Sequence, residues 1–423
     1  MTTSPFEDIA STGRSEGALI PRVYFKTILI VASVLRLGVA FIVLLSHPRQ
    51  WFFDNAADLG YLAQSLSSGN GLASPFGGST GPSALVTPGY PLLVALIFRI
   101  CGPYSVLSAT VVIGLQILFA VFTVSAIMHI SNRLFGAMTA NLAGGLWAVS
   151  LPLLWLPTLF WETCLSTLLL TGAIAFALCV RNEPNKSKWL LAGLYCGVAL
   201  LVNPALSPAL VAIFIWSAFQ VRPRSFIHPM LGLVVMLLTF APWPVRNLRV
   251  MHSPILSRSS FGYELWQGNR PGGDGTFDDS LYPLHSKPEY LQYASGGEVA
   301  YMREKSALAE AYIHAQPKGF LILTAKRIAR FWIGTRGNEN LVQVEVHTVG
   351  TLVFGAFGML LLWRKNASVA ALFLLPLILF PLPYYITDIR FRYRFVIDPF
   401  LTMLAAYAVT RITVYLRRRV KAA

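Results

Sequence analysis

Residues 51–91 read WFFDNAADLGYLAQSLSSGNGLASPFGGSTGPSALVTPGYP. The stretch follows the first long apolar run and carries two carboxylates, Asp54 and Asp58, with no Lys or Arg among them. A run of Gly, Ser and Pro comes next, and Pro88-Gly89-Tyr90-Pro91 then opens a short apolar segment. A polar loop of this kind, held between apolar runs, is where chemistry at a membrane surface is expected. Asp54 and Asp58 are four apart, so on one helix they would share a face. Trp51, Phe52, Phe53 and Tyr61 surround them in sequence. Beside such a low-dielectric surface a carboxylate can be raised toward the range of a general base. The alternative is a pair of solvated loop carboxylates.

The rest of the chain sets this loop in a bilayer. Of the 423 residues, 55% are hydrophobic and 13% charged, against about 25% charged in a soluble globular protein. Several apolar runs reach the roughly 20 residues that cross a hydrocarbon core. The fold class is an α-helical polytopic membrane protein. The first 23 residues are polar, so no cleavable signal is expected ahead of the first span. The formal charge of +15 does not point to nucleic acid, because the basic clusters sit between spans and at the C-terminus, where they orient a membrane protein. Cys101, Cys164, Cys179 and Cys196 lie in or beside apolar runs without a CxxC, so neither a structural disulfide nor a zinc site is expected.

Hydropathy and charge divide the chain as follows. A cytoplasmic tail, 1–23, carries Arg14 and Arg22. A membrane domain, 24–245, holds spans one to seven and a first outer loop, 47–103. An extracytoplasmic α-rich domain covers 246–346. A second membrane segment, 347–416, holds spans eight to ten, and 417–423 is a basic tail. The spans are expected at 24–45, 106–130, 137–156, 160–180, 189–203, 205–220, 228–243, 348–362, 367–385 and 395–416, about ten in all. Span one contains Arg36, which is costly inside a membrane and is read either as functional or as snorkelling to the interface. In the first outer loop, 61–66 and 88–100 are read as helices lying beside or re-entering the membrane, the second being too short to span. Asn203-Pro204 and Pro208 break the run 189–220 into two. Two spans there also keep Arg181, Lys186 and Lys188 on the same side as Arg222 and Arg224. In the outer domain, 301–317 and 320–332 are expected to be helical, the second with Lys326, Arg327 and Arg330 on its polar face. The loop GGDGTFDDS, with Asp274, Asp278 and Asp279, reads as flexible and polar.

The resulting topology puts both termini in the cytoplasm and leaves one exception to the positive-inside rule. The short outer loop before span ten holds Arg390, Arg392 and Arg394, alternating with Phe391 and Tyr393. An anionic ligand at the outer surface would explain them, since guanidinium groups grip phosphate in a bidentate way. Nonspecific contact with lipid headgroups is the alternative. Arg246 stands at the outer end of span seven. Glu162, one turn into span four, is an intramembrane carboxylate on the same outer side as Asp54 and Asp58.

At these residues the chain resembles a known family. DLGYLAQSLSSGNGL…TPGYPLLVALIF resembles the first outer loop of bacterial GT-C superfamily membrane glycosyltransferases, the protein O-mannosyltransferase and aminoarabinose-transferase-like group (glycosyltransferase family 39-like). PTLFWETCLSTLLL resembles their fourth span. APWPVRN and SRSSFGYELWQGNRPGGDGTF resemble the opening of their outer domain, AYIHAQPKGFLILTAKRIARFW its closing helices, and RFRYRFVIDPFLTMLAAYA the last span. The resemblance implies an enzyme of the cytoplasmic (inner) membrane with its active site on the extracytoplasmic side. It would move a hexosyl or pentosyl group, with inversion, from a polyprenyl-phosphate sugar to a protein, glycan or lipid acceptor. It makes a first-loop acid the base, Asp58 ahead of Asp54, with Glu162 the second carboxylate. It makes Arg246, Arg390, Arg392 and Arg394 phosphate ligands, and Tyr61, Tyr90, Trp266 and Asn269 substrate contacts. Relatives often carry adjacent acids just before the loop tyrosine, whereas here Asp58 stands three before Tyr61 and Asp54 seven before it. Oligosaccharyl-transferring relatives use a divalent metal. This chain has no DxD or His cluster in the outer loop, so no metal or other cofactor is expected, and membrane lipids are the remaining partners. Two other classes compete. A lipid-linked-sugar transporter or flippase would need polar residues through the bilayer and internal repeats, of which Glu162 is nearly the sole trace. A non-catalytic envelope-assembly protein would fit the imperfect acidic motif.

Overall fold

The computed structural model describes residues 23–46, 49–54, 56–182, 185–220, 226–334 and 342–422. The N-tail with Arg14 and Arg22, the loop with Arg222 and Arg224, and the side chain of Trp51 lie outside the described residues. Among the described residues there is no strand, only isolated bridges at Ala73–Pro82 and Thr276–Ile389. The chain is an α-helical polytopic membrane protein.

Among the described residues seven helices are long and apolar enough to cross a membrane: Phe25–Ser46, Val106–Phe135, Thr163–Arg181, Ile227–Met251, Val344–Lys365, Ala367–Ile386 and Asp398–Val420. An eighth is the pair Ala137–Val149 and Leu151–Thr158, bent by 61°. Ten spans were expected. The difference is spans five and six, which fall on Lys186–Val202, of 17 residues, and Ser207–Gln220, of 14. At 1.5 Å per residue these run about 25 and 21 Å, short of a hydrocarbon core of about 30 Å. Asn203 ends the first in extended backbone, its side chain accepting from the Ala205 amide, and Pro204 starts a single 3₁₀ turn. The break predicted at Asn203-Pro204 is therefore present.

Arg36 is neither snorkelling nor in a ligand site. It is 1% exposed and donates to the carbonyls of Ala32, Trp147 and Ala148 at 3.1–3.3 Å. Trp147 and Ala148 end the first half of the bent pair, where Ser150 is extended and Pro152 opens the next piece. Carbonyls freed at such a break lack helical partners in a medium without water, and Arg36 supplies them.

Small residues set one close helix crossing. In Gly193-Leu194-Tyr195-Cys196-Gly197, a Cβ on Gly193 would lie 2.0 Å from the Gly232 carbonyl oxygen, and one on Gly197 would lie 2.6 Å from Thr239 Cβ. This small-xxx-small spacing lets the Lys186–Val202 and Ile227–Phe240 backbones touch. Gly193→Val is expected to separate them, costing about 1–3 kcal/mol or more and lowering the thermal unfolding midpoint in detergent. A midpoint equal to wild type would mean that the two helices are not in contact.

The outer domain is helical, built from Phe261–Gly268, Lys287–Ala315 with a kink at Gly297, and Pro317–Ile333. Arg327, expected on a polar face, is 0% exposed and donates to the carbonyls of Gly268 and Tyr385 and to Asn269 Oδ1. The first outer loop packs into this domain. Phe76 and Leu85 share a core with Tyr263, Tyr293 and Tyr301. Glu298, 3% exposed, accepts from the Ala84 amide, Ser259 Oγ and Tyr293 Oη. Leaving such a carboxylate unpaired would be expensive, so it locks two segments far apart in sequence.

Candidate active site

The helix expected at 61–66 runs Ala57–Ser67 and that at 88–100 runs Gly89–Cys101. The shared helix face expected for Asp54 and Asp58 is absent. Asp54 ends the helix Arg49–Asp54 and is exposed, Ala56 is non-helical, and Asp58 stands in the first turn of the next helix, 4% exposed. Phe52, Phe53 and Phe160 fill a core behind the loop, with ring centroids 5.1–5.2 Å apart. These aromatics position the helix rather than line a ligand site.

Asp58 opens into a cavity of about 950 Å³, mouth included, lined both by the apolar helices and by residues of the 246–346 segment. Interrupted helices form part of its lining. Thr87 Oγ1 donates to the Val202 carbonyl at 3.1 Å, Gly89 meets the Leu201 carbonyl where a Cβ would be 2.7 Å away, and Tyr90, Asn203 and Pro204 face inward. Non-helical backbone at this depth is tolerated where it lines a cavity. Tyr90 Oη is buried there and has no hydrogen-bond partner among the described residues.

Glu162 also lines the cavity. It is not a turn inside span four. It immediately precedes the helix Thr163–Asn182, its own carbonyl accepting from the Ser166 amide at 2.8 Å, and a helix N-terminus favours negative charge.

The RFRYR run is no exposed loop. Phe391–Val396 is a 3₁₀ helix, and at three residues per turn, side chains two apart diverge by about 120°. The alternation that groups the three arginines in sequence therefore separates them in space. Arg390 and Arg392 face the cavity. Arg394 turns away, pairing with Asp398 Oδ1 at 2.7 Å and donating to the Thr348 carbonyl. Arg390 lies 3.6 Å over the Phe277 ring and 3.5 Å from Asp388 Oδ2. Burial pushes the Asp388 carboxyl up to about 6, with Arg390 opposing and Glu264 adding to the shift. Arg392 is 9% exposed and stacks 3.8 Å over Trp161, with no ion-pair partner among the described residues.

Arg246, Trp266, Asn269 and Tyr61 do not line this cavity. Arg246 donates to the carbonyls of Leu72 and Ser83, pinning the first loop. Trp266 lies under Lys305, 4.2 Å from its Nζ. Asn269 is buried, donating to Leu265 and Ile386 carbonyls and accepting from Arg327. Tyr61 lines a separate groove.

Sequence reading missed Arg258, Glu264 and Tyr282. Arg258 and Glu264 pair at 3.2 Å in the cavity wall. Tyr282 Oη donates to Asp58 Oδ2 at 2.8 Å. Burial, then the Asp58 charge, holds that phenol protonated well above its usual value. Tyr282 follows GGDGTFDDS, the stretch expected to be flexible. Ion pairs Arg270–Asp278 at 2.8 Å and Arg330–Asp274 at 3.0 Å, with the bridge to Ile389, tie that stretch over the cavity. The signal in sequence was the aromatic spacing Phe277–Tyr282, which has no meaning without its partner. Among the described residues no three His, Cys, Asp or Glu groups converge as metal ligands.

Residues 85–245 match the family model described as dolichyl-phosphate-mannose-protein mannosyltransferase. No curated protein sequence matches the chain. The architecture is similar to that of the archaeal oligosaccharyltransferase AglB from Archaeoglobus fulgidus in complex with an inhibitory peptide and a dolichol-phosphate. That likeness has a TM-score of 0.53 and 13% identity, over 94% of this chain and 52% of that one. The apo crystal form gives 0.52 at 13% identity with the same coverage. The chain thus spans about half the length of these relatives. ArnT from Cupriavidus metallidurans in the apo state aligns over 89% of this chain and 77% of that one, with 15% identity and a TM-score of 0.36, too distant to argue from. The fold is thus similar to that of the archaeal oligosaccharyltransferase, and residues 85–245 resemble a mannosyltransferase family.

Proposed function

We propose that this cavity transfers a sugar, with inversion, from a polyprenyl-phosphate donor to an acceptor hydroxyl at the outer face of the cytoplasmic membrane. The observation that carries the reading is the pairing, in one cavity, of a buried carboxylate, Asp58, with a buried arginine, Arg392, that has no ion-pair partner among the described residues. The acceptor oxygen gives its proton to Asp58 and bonds to the anomeric carbon as the bond from that carbon to the phosphate oxygen breaks. The polyprenyl phosphate leaves with the electron pair, its charge met by Arg392 and Arg390. Glu162 accepts hydrogen bonds from the donor sugar. The family model matched by residues 85–245 and the dolichol-phosphate in the similar archaeal structure support a lipid-linked donor. The test is release of free polyprenyl phosphate by purified protein in detergent, across a panel of polyprenyl-phosphate sugars. Release from at least one donor is expected, and none from any donor would remove the reading.

In this scheme the Tyr282 hydroxyl occupies the position at Asp58 that an acceptor hydroxyl must take. Tyr282→Phe removes that competing bond, worth about 1 kcal/mol. The expected result is an acceptor KM roughly fivefold lower, the gain appearing in KM rather than kcat. A fall in kcat of about 100-fold would instead put Tyr282 in the proton path.

A further inference from the structure

The Gly- and Ser-rich run of the first outer loop takes no part in the cavity around Asp58. It lines a second, open groove of about 890 Å³, together with the helix Ala57–Ser67 and the C-terminal end of Ile227–Met251. This lies toward the upper end of the ~300–1,000 Å³ of a typical small-molecule site, so the groove has room for an extended ligand.

Its polar groups are neutral apart from Arg246 and are set among Leu72, Ala73, Pro82 and Val250. Tyr61, Gln64, Ser68, Asn70 and Ser79 offer neutral hydroxyl, amide and phenol groups. None of these five has a side-chain hydrogen bond to another described residue. Among the described residues no acid lines the groove, and the single cation, Arg246, spends both terminal nitrogens on the carbonyls of Leu72 and Ser83. Gly71, Gly77, Gly78 and Gly81 hold positive φ. At Gly71 and Gly81 nothing lies within 4 Å of where a Cβ would sit, so a ligand can reach the backbone there. A phosphorylated ligand would find one guanidinium, its terminal nitrogens already bonded to carbonyls.

The groove runs along the helix that carries Asp58. Tyr61 and Ser65 lie about one and two turns beyond it, on the same side. The partition between groove and cavity is aromatic: Phe76 meets Tyr282 edge to face at 5.3 Å, and Tyr282 is the residue bonded to Asp58. A chain lying in the groove would present its end within about one helical turn of the base.

We propose that this groove is a binding subsite for a neutral oligosaccharide chain and, resting on the glycosyl-transfer reading above, that this chain is the acceptor. Binding itself does not depend on that reading. The experiment is saturation-transfer NMR on the full chain in detergent, with a ladder of linear neutral oligosaccharides and uncharged Ser/Thr peptides of matching length. The expected result is a signal that grows with oligosaccharide length. Affinity should fall about tenfold, or about 1.4 kcal/mol, in Ser68→Trp and in Asn70→Tyr, exposed positions where a large side chain fills the groove without disturbing the core. An unchanged thermal midpoint shows that the variants are folded. Absence of oligosaccharide binding overturns the proposal, as does binding that both variants leave unchanged, or binding by the peptides alone. Oligosaccharide binding without polyprenyl phosphate release from any donor would keep the groove and remove its role as acceptor site. Release without oligosaccharide binding would remove the groove alone.

Discussion

Asp58→Asn is expected to lower sugar transfer by about 10³-fold, within the range that a positioned general base contributes, while the protein inserts and folds as wild type. The asparagine carbonyl oxygen can still accept from Tyr282, so the one hydrogen bond that Asp58 makes to another described side chain survives. What disappears is the capacity to take a proton from an acceptor hydroxyl. The measurement is polyprenyl phosphate release together with transfer, with thermal unfolding as the control. Full activity would remove Asp58 as base. Asp54, exposed and on a different helix, is expected to tolerate the same change. The carboxylates left to consider would be Glu162 and Glu264, which line the same cavity, Glu264 being paired with Arg258.

Arg392→Ala is expected to lower kcat by about 10²–10³-fold, the scale of losing one charged contact to a developing oxyanion in a water-poor site. The reason lies in the pairing of the cavity's cations. Arg258 is committed to Glu264, and Arg390 is partly neutralised by Asp388 at 3.5 Å. Arg392 meets the flat face of Trp161 instead of a carboxylate, so its charge is free for a phosphate. Arg392→Lys restores the charge but not the planar fork or the stacking, and partial recovery is expected. Arg394→Ala, by contrast, is expected to act on stability, because Arg394 neutralises the fully buried Asp398. Loss of transfer in Arg394→Ala with unchanged unfolding, alongside an active Arg392→Ala, would exchange the two roles.

The sequence located both halves of this site but not their division of labour. Asp58 and the RFRYR run stand out because charge is rare in so apolar a chain, and because basic residues on an outer loop break a topology rule. Arg246 and Asn269 stand out equally, yet both hold backbone carbonyls. An arginine's type and neighbours are the same whether its partner is a ligand phosphate or a carbonyl placed nearby by a remote segment. Glu162 was legible as a carboxylate beside a span but not as a helix-start residue, since hydropathy averages over a turn or more.

Composition and hydropathy alone determined that this is a polytopic helical membrane protein. They determined where most of its long spans lie and that 189–220 breaks at Asn203-Pro204, because the bilayer imposes length and apolarity locally, residue by residue. Tertiary structure alone decided which arginines face the cavity, why Arg36 is inside the membrane, and that Tyr282 rests on Asp58. It also decided that the first loop and the outer domain form one body around Glu298. Those outcomes depend on direction and on distant partners: a 3₁₀ turn that parts neighbours two residues apart, a bent span that frees carbonyls, a hydrogen bond between residues 58 and 282. Periodicity along one segment carries no information about a partner supplied by another.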